Sequence, residues 1–224
     1  MDSPILITGC TRSGNTVVAG MVELCKAFTG NNSKMRENLR VRDEIIHPYL
    51  NSLGVDLLGQ YPLPDTNNLK PVVSLKEDIE NIFIEEGYKK GKWMLKDPKM
   101  GLIWPVWNEA FPNAKWIIVR RKTSDIISSC VKTGFMRAFK DVRNQIKVGG
   151  HGEKEAWLWW VHQHLQRFIE MIEAGLNCKV IWPERMVNGD YEQMKEIIEW
   201  AGLKWNPECI NFVNSKLWKS KNKK

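Results

Sequence analysis

The sequence lacks an apolar run long enough to cross a membrane, although 43% of its 224 residues are hydrophobic. A membrane-spanning helix needs about 20 consecutive apolar residues, so a transmembrane segment is not expected. The first strand-like segment begins at Pro4, so we expect no signal peptide. We therefore expect a soluble protein with a cytoplasmic location.

The cysteines form no recognisable pattern. There are five of them, and neither their odd number nor their scattered spacing fits a disulfide framework or a set of metal ligands. We expect a reducing compartment, in which Cys10, Cys25 and Cys130 are small buried hydrophobic residues. No motif in the sequence requires a metal ion.

Internal repeats and domain linkers are also lacking, so we expect residues 1–224 to form one domain. The net charge of +7 predicts an anionic partner without identifying it. Part of this charge comes from the Lys-rich residues 216–224, which are typical of a solvated chain end. A nucleic-acid-binding function would be supported only by this charge and this tail.

Segments typical of strands and helices alternate along the chain. This order predicts a three-layer α/β fold of the phosphate-loop type, with a central parallel sheet flanked by helices. The predicted strands cover residues 5–8, 93–96, 116–120 and 179–182. The main predicted helices cover residues 16–28, 75–88, 124–132, 155–174 and 191–201.

The longest predicted helix carries an apolar stripe at helical spacing, which we interpret as its buried face. The stripe consists of Trp157, Trp160, Val161, Leu165, Phe168, Ile169 and Ile172. The basic, glycine-containing segment 134–152 before it looks irregular. That segment is either a mobile lid over an anionic ligand or a solvated part of the surface, and the sequence favours neither.

The clearest chemical signal follows the first strand. Gly9 and Gly14 enclose four residues, and Thr16 opens a helix, which is the frame of a phosphate-binding loop. Such glycines let backbone N–H groups surround phosphate oxygens at the positive end of the helix. Asn15 stands where a nucleotidase or kinase carries the Lys that contacts the β- and γ-phosphates. With Arg12 as the available cation, the loop predicts binding of a phosphate-like group other than a triphosphate.

Polar residues also follow two later strands, and the carboxyl ends of parallel strands meet at one edge of a sheet. Arg121 at a strand end and Ser129 in the next helix could converge on one anion, or they could be surface residues. Lys96 can stabilise charge that develops on a leaving oxygen. Asp97 is a poor candidate for a magnesium-binding acid, because Lys96 interrupts the apolar run before it.

A reaction at an acceptor hydroxyl needs a general base. Glu37 lies in the polar stretch 31–42 and is one candidate, although solvated loop charge also explains that stretch. His47, His151 and Asp97 are competing candidates.

Together these segments resemble sulfotransferases that use 3′-phosphoadenosine 5′-phosphosulfate (PAPS). Residues 12–16, Arg-Ser-Gly-Asn-Thr, resemble that family's 5′-phosphosulfate loop. Arg121, followed by Ser129 eight positions later, resembles its 3′-phosphate motif. Residues 95–98 and 111–115 resemble the branch that holds bacterial and tyrosylprotein sulfotransferases, and residues 183–187 fit the later part of its pattern.

The resemblance implies a role for each matching residue. The residues that would hold the 5′-phosphosulfate are Arg12, Ser13, Gly14, Asn15 and Thr16. Arg121 and Ser129 would hold the 3′-phosphate. Lys96 would assist the departing phosphate together with Arg12, and Glu37 falls near the catalytic Glu of the tyrosylprotein branch.

The implied reaction is in-line attack of an acceptor hydroxyl or amine on the sulfur of PAPS, without a metal ion, leaving adenosine 3′,5′-bisphosphate. The acceptor would be a small molecule, a glycan or a peptide. The alternatives are a phosphate-loop kinase of a small molecule, which the missing Lys disfavours, and a nucleic-acid-binding protein. Val17 stands where cytosolic relatives carry an adenine-stacking Trp, so the base would be held elsewhere.

Overall fold

The computed structural model of the protein describes residues 1–213, so the predicted basic tail at 216–224 lies outside the described residues. Its sheet has four parallel strands in the order β2-β1-β3-β4. The strands are β1 (Ile5–Gly9), β2 (Met94–Lys96), β3 (Lys115–Val119) and β4 (Cys178–Ile181). The predicted parallel α/β fold is confirmed, and each strand end lies within about one residue of its predicted position.

The helices surround this sheet. They are α1 (Asn15–Leu24), α2 (His47–Ser52), α3 (Leu75–Glu85), α4 (Trp104–Ala110), α5 (Thr123–Lys132), α6 (Val142–Lys147), α7 (Glu153–Glu173), α8 (Pro183–Val187), α9 (Glu192–Trp200) and α10 (Glu208–Phe212). A π-helical turn at Val41–Ile46 precedes α2, and a 3₁₀ turn at Pro98–Ile103 follows β2.

Alternating residues of β1 separate two hydrophobic cores. Leu6 points into the larger core, which contains Trp157 and Trp160 of α7. Ile7 points into the smaller core, which α1 and α9 close from the other face. A parallel strand buried on both faces is apolar throughout, which explains the apolar sequence of β1. The result is three layers, with the carboxyl ends of the strands along one edge.

Helix α7 buries the tryptophans of its predicted apolar stripe, but the prediction is wrong at the end of the helix. Ile169 and Ile172 are 45% and 52% exposed. The buried face instead includes His164, Arg167 and Met171, which follow the tryptophans at steps of three and four residues. Residues 169 and 172 therefore lie on the neighbouring, exposed face of the helix.

The prediction of irregular structure over residues 134–152 is also wrong. This segment contains a 3₁₀ turn and α6, and its Phe139 is buried with the ring centroid 4.7 Å from that of Trp157. The side chain of Gln60 donates a hydrogen bond to the carbonyl oxygen of Phe135 at 2.8 Å. These contacts anchor the segment to the core. Its function as a lid stays a prediction.

Cys10, Cys25 and Cys130 are buried, as predicted, and all five cysteine thiols are free. Among residues 1–213, no helix combines the length and the apolar character needed to cross a membrane. The same residues contain no cluster of three or more His, Cys, Asp or Glu side chains suited to a metal ion.

Candidate functional site

The predicted phosphate loop, residues 9–16, joins the end of β1 to the start of α1. Arg12 and Gly14 adopt left-handed backbone conformations, with φ of 78° and 102°. Gly14 is the N-cap of α1 and supplies no side-chain cap. The first N–H groups of a helix have no acceptor within the helix, and they carry its partial positive charge. The start of α1 therefore offers hydrogen-bond donors and positive potential to an anion.

Asn15 braces this loop from inside. Its Nδ2 donates hydrogen bonds to the carbonyl oxygens of Gly9 at 3.2 Å and Cys10 at 3.0 Å. Its Oδ1 accepts a hydrogen bond from Ser13 Oγ at 3.3 Å. Asn15 is only 4% exposed and Ser13 is fully buried. The Ser13 N–H is also used within the loop, where it donates to the Cys10 carbonyl oxygen at 3.0 Å. An anion at the loop would therefore meet the N–H groups at the start of α1 rather than the side chains of Ser13 and Asn15.

Three of the predicted phosphate-binding residues are in direct contact. Arg12 Nε donates a hydrogen bond to Ser129 Oγ in α5 at 2.9 Å. Arg121, which follows β3, donates from Nη1 to the carbonyl oxygen of Arg12 at 2.9 Å. The adjacent strands β1 and β3 thus bring two guanidinium groups and one hydroxyl to the same edge of the sheet.

The surroundings of Arg121 are partly desolvated. Its side chain is 9% exposed, and burial lowers the pKa of its guanidinium from the ordinary value. The carboxylates of Asp125 and Glu184 oppose this shift, each at 4.0 Å from a guanidinium nitrogen. An arginine stays charged in such surroundings, so Arg121 is a partly buried cation near the phosphate loop.

The predicted catalytic pair is also in contact. Lys96 ends β2 and donates from Nζ to Glu37 Oε1 at 2.8 Å and to the carbonyl oxygen of Met35 at 3.0 Å. Thr16 Oγ1 donates to the same carbonyl at 3.3 Å. The Lys96 side chain is 2% exposed and that of Glu37 is 17% exposed. The partly exposed Glu37 carboxylate and the buried Lys96 cation are therefore linked, through the Met35 carbonyl, to Thr16 in the first turn of α1.

The other candidate bases have different environments. Asp97 is buried and forms an ion pair with Lys99 at 2.9 Å, as a structural residue would. His47 Nδ1 lies 3.5 Å from Asp43 Oδ1, and burial together with the charge of Lys99 lowers the pKa of the imidazole. Both effects favour the neutral form of the His47 imidazole. His151 is an exposed residue before α7.

Sequence reasoning named Thr16 and Lys96 but missed the backbone features of Met35 and Arg36 through which the Glu37 loop is held in place. The Met35 carbonyl receives two hydrogen bonds, and Arg36 has a left-handed backbone with φ of 59°. No sequence motif marks either feature, because both depend on contacts with other parts of the chain, such as Thr16 and Lys96 for Met35 and Glu23 for Arg36. The available signals were the polar composition of residues 31–42 and, for Glu37 alone, the family resemblance.

Comparison with solved structures supports the fold. Sulfotransferase STF9 from Mycobacterium avium aligns with a TM-score of 0.56 and 14% identity, over 99% of this chain and 69% of that one. Sulfotransferase STF1 from Mycobacterium tuberculosis H37Rv aligns with a TM-score of 0.49 and 12% identity, over 99% and 76% of the two chains. At these identities, the first alignment indicates a shared fold only. A search of curated proteins finds no significant match.

The sequence itself identifies the family. The profile described as "Sulfotransferase family" matches residues 4–207, which include the phosphate loop, Lys96, Arg121 and Ser129. This range is most of the chain. The protein therefore belongs to the sulfotransferase family.

Proposed function

We propose that the protein transfers a sulfuryl group from PAPS to a hydroxyl or amine of an acceptor, and that adenosine 3′,5′-bisphosphate is the other product. The proposal is carried by the contact of Arg12, Arg121 and Ser129, which joins the phosphate loop to a second cationic position. A nucleotide with phosphate groups on two ribose positions needs two anion sites of this kind. The Lys96–Glu37 pair beside the same loop supplies the groups for the transfer.

The residues at the loop fit such a donor. Residues 12–16, which lead into the uncapped start of α1, would hold the 5′-phosphosulfate through backbone N–H groups other than that of Ser13, which donates to the Cys10 carbonyl oxygen. Arg121 and Ser129 would hold the 3′-phosphate by charge-assisted and hydroxyl hydrogen bonds. Arg12 already contacts Ser129, and its guanidinium would connect the two anion sites.

PAPS supplies an activated sulfuryl group, whose bond to the 5′-phosphate oxygen breaks as the acceptor oxygen or nitrogen bonds to sulfur. Glu37 would accept the proton that the acceptor loses. Lys96 and Arg12 would stabilise the negative charge on the departing phosphate oxygen. Because Lys96 already binds Glu37 Oε1, the cation and the carboxylate have a fixed relative position before the acceptor binds.

Glu37 is preferred over the other candidate bases because it contacts Lys96 and is partly exposed. Asp97 is also ion-paired, with Lys99, but its side chain is only 2% exposed, so an acceptor would have little access to it. His47 is the alternative base, since its lowered pKa favours the neutral imidazole, which can accept a proton. The acceptor itself is proposed only as a small molecule, a glycan or a peptide with a free hydroxyl or amine.

Calorimetric titration tests donor recognition. The protein is titrated separately with adenosine 3′,5′-bisphosphate, with ATP and magnesium, and with a single-stranded oligonucleotide. The proposal expects binding of the bisphosphate in preference to the other two ligands. Binding of ATP with magnesium but not of the bisphosphate would indicate a kinase, and preferential binding of the oligonucleotide would indicate a nucleic-acid-binding protein.

Turnover is then tested with sulfur-labelled PAPS and a panel of alcohols, phenols, amines, glycans and peptides. Label is expected in at least one acceptor, with stoichiometric release of the bisphosphate. Tight bisphosphate binding without transfer to any class of acceptor would contradict the enzymatic part of the proposal.

A further inference from the structure

The turn that carries Glu37 has two side chains with different partners. Ser33 and Glu37 close the turn, because the Ser33 N–H donates to the Glu37 carbonyl at 2.8 Å. The Arg36 N–H donates back to the Ser33 carbonyl at 2.9 Å. Arg36 has a left-handed backbone, which an L-residue other than glycine rarely adopts. Glu37 binds Lys96, whereas the Arg36 guanidinium binds Glu23 of α1.

Arg36 is also covered by the last described helix. Its guanidinium carbon lies 5.2 Å from the ring centroid of Phe212 in α10, a distance typical of a cation–π contact. Gly20 of α1 makes this packing possible. A Cβ atom at position 20 would overlap the Phe212 ring and would lie 2.8 Å from Arg36 Nε.

Helix α10 itself is fixed to the end of α1. Asn206, just before α10, donates from Nδ2 to the Leu24 carbonyl at 2.9 Å. Cys209 is fully buried, with its Sγ 3.7 Å from that of Cys25. Asn206 and Cys209 thus tie α10 to the carboxyl end of α1, while the Phe212 ring packs beside Gly20 in the middle of α1. The position of the ring is therefore set by packing along α1.

We propose that Arg36 and Phe212 form a clamp that positions Glu37 for the reaction, so that α10 controls the geometry of the catalytic base. The inference rests on the proposed function. In this arrangement Arg36 and Phe212 are positioning residues, since they act through the backbone of the turn. Loss of the clamp releases the left-handed residue, and the Met35 carbonyl and Glu37 carboxylate then lose their fixed relation to Lys96.

The test compares Phe212→Ala with Phe212→Leu, which keeps an apolar contact beside Gly20. Ile210→Ala is the matched control, because Ile210 belongs to the same helix and is 49% exposed. Three quantities are measured for each full-length variant. They are the kcat of sulfuryl transfer from PAPS to the acceptor that the labelled panel identifies, the affinity for the bisphosphate by calorimetry, and the hydrogen exchange of the amides in residues 33–37.

Phe212→Ala is expected to lower kcat by about 10- to 100-fold, the range that a displacement of about 1 Å produces. Bisphosphate affinity is expected to stay unchanged, and the amides of Ser33 and Arg36 should exchange faster. Phe212→Leu should give smaller changes, and Ile210→Ala should match the wild type. Gly20→Ala, which displaces the ring from the α1 side, is the second variant if Phe212→Ala fails to fold.

Two results would overturn the clamp. One is unchanged kcat and unchanged exchange of residues 33–37 in both Phe212→Ala and Gly20→Ala. The other is an equal loss of bisphosphate affinity and kcat with faster exchange throughout the chain, which would indicate a general structural role. Failure of the proposed function gives a different result. A wild type that transfers no sulfuryl group would contradict the proposed function, while hydrogen exchange would still show whether Phe212 protects the amides of residues 33–37.

Discussion

His164 gives this protein a pH-dependent stability that can be measured separately from activity. The residue lies in α7 and is 1% exposed, with its ring centroid 4.2 Å from that of Trp160. Its Nδ1 is 3.0 Å from the Trp160 carbonyl oxygen, so the neutral imidazole donates this hydrogen bond. Burial, with a further contribution from the charge of Arg167, lowers the pKa of His164 from 6.5 to about 3.

The sign follows from which state binds the proton. Between pH 6.5 and about 3, the unfolded chain protonates this imidazole and the folded protein does not. Its contribution to stability is therefore complete above the unfolded pKa and is lost as the pH falls. Lowering the pH from 7.5 to 5.0 should reduce the free energy of unfolding by about 2 kcal/mol through this residue alone.

The assay is urea unfolding followed by tryptophan fluorescence, which reports on the core because Trp157 and Trp160 are fully buried. The wild type, His164→Leu and His162→Leu are compared at pH 7.5 and 5.0. His162 is exposed two residues away and serves as the control. When the pH is lowered, the free energy of unfolding of His164→Leu should fall by about 2 kcal/mol less than that of the wild type. The free energy of unfolding of His162→Leu should fall as much as that of the wild type. An undiminished pH dependence in His164→Leu would refute the reasoning.

Three further substitutions test the site and the loop. Arg121→Ala should weaken bisphosphate binding by about 1.5–3 kcal/mol in calorimetry, and an affinity equal to that of the control Arg120→Ala would reject the 3′-phosphate assignment. Glu37→Gln should abolish turnover while bisphosphate binding is retained, and near-normal turnover would place the base elsewhere. Gly9→Ala should destabilise the protein by about 3 kcal/mol in urea unfolding, because the added Cβ overlaps a carbonyl oxygen of β3. Gly134→Ala is the control and should leave stability unchanged, because a Cβ atom at position 134 has no neighbour within 4 Å. Equal stability of the two variants would argue against the close approach of Gly9 to the Val119 carbonyl.

The fold could be predicted because its signals are local. Each strand is a short apolar run bounded by polar or turn residues, and its limits follow from that pattern alone. The contact between Arg12 and Ser129 spans 117 residues, and only its general location could be anticipated. The carboxyl ends of parallel strands meet at one edge of a sheet, whereas the adjacency of β1 and β3 is known only from the structure.

The turn around Glu37 could not be predicted in the same way. Its conformation depends on the left-handed Arg36 and on hydrogen bonds from Thr16 and Lys96 to the Met35 carbonyl. None of these is visible as periodicity or composition. The sequence could propose that Glu37 lies near Lys96 only through a family resemblance, whereas the 2.8 Å ion pair depends on how distant segments pack.

Asn15 shows how a single substitution changes what a phosphate loop can bind. In a nucleotidase or kinase this position supplies a Lys that extends toward the β- and γ-phosphates. Here the side chain turns inward and donates to the carbonyl oxygens of Gly9 and Cys10, so its amide stabilises the loop. A Lys at this buried position would leave at least one of these carbonyls without its partner or would bring a charge into the loop interior. The cations beside this loop are instead Arg12 within it and Lys96 on the neighbouring strand. Under the proposed function, they would stabilise charge on a departing phosphate.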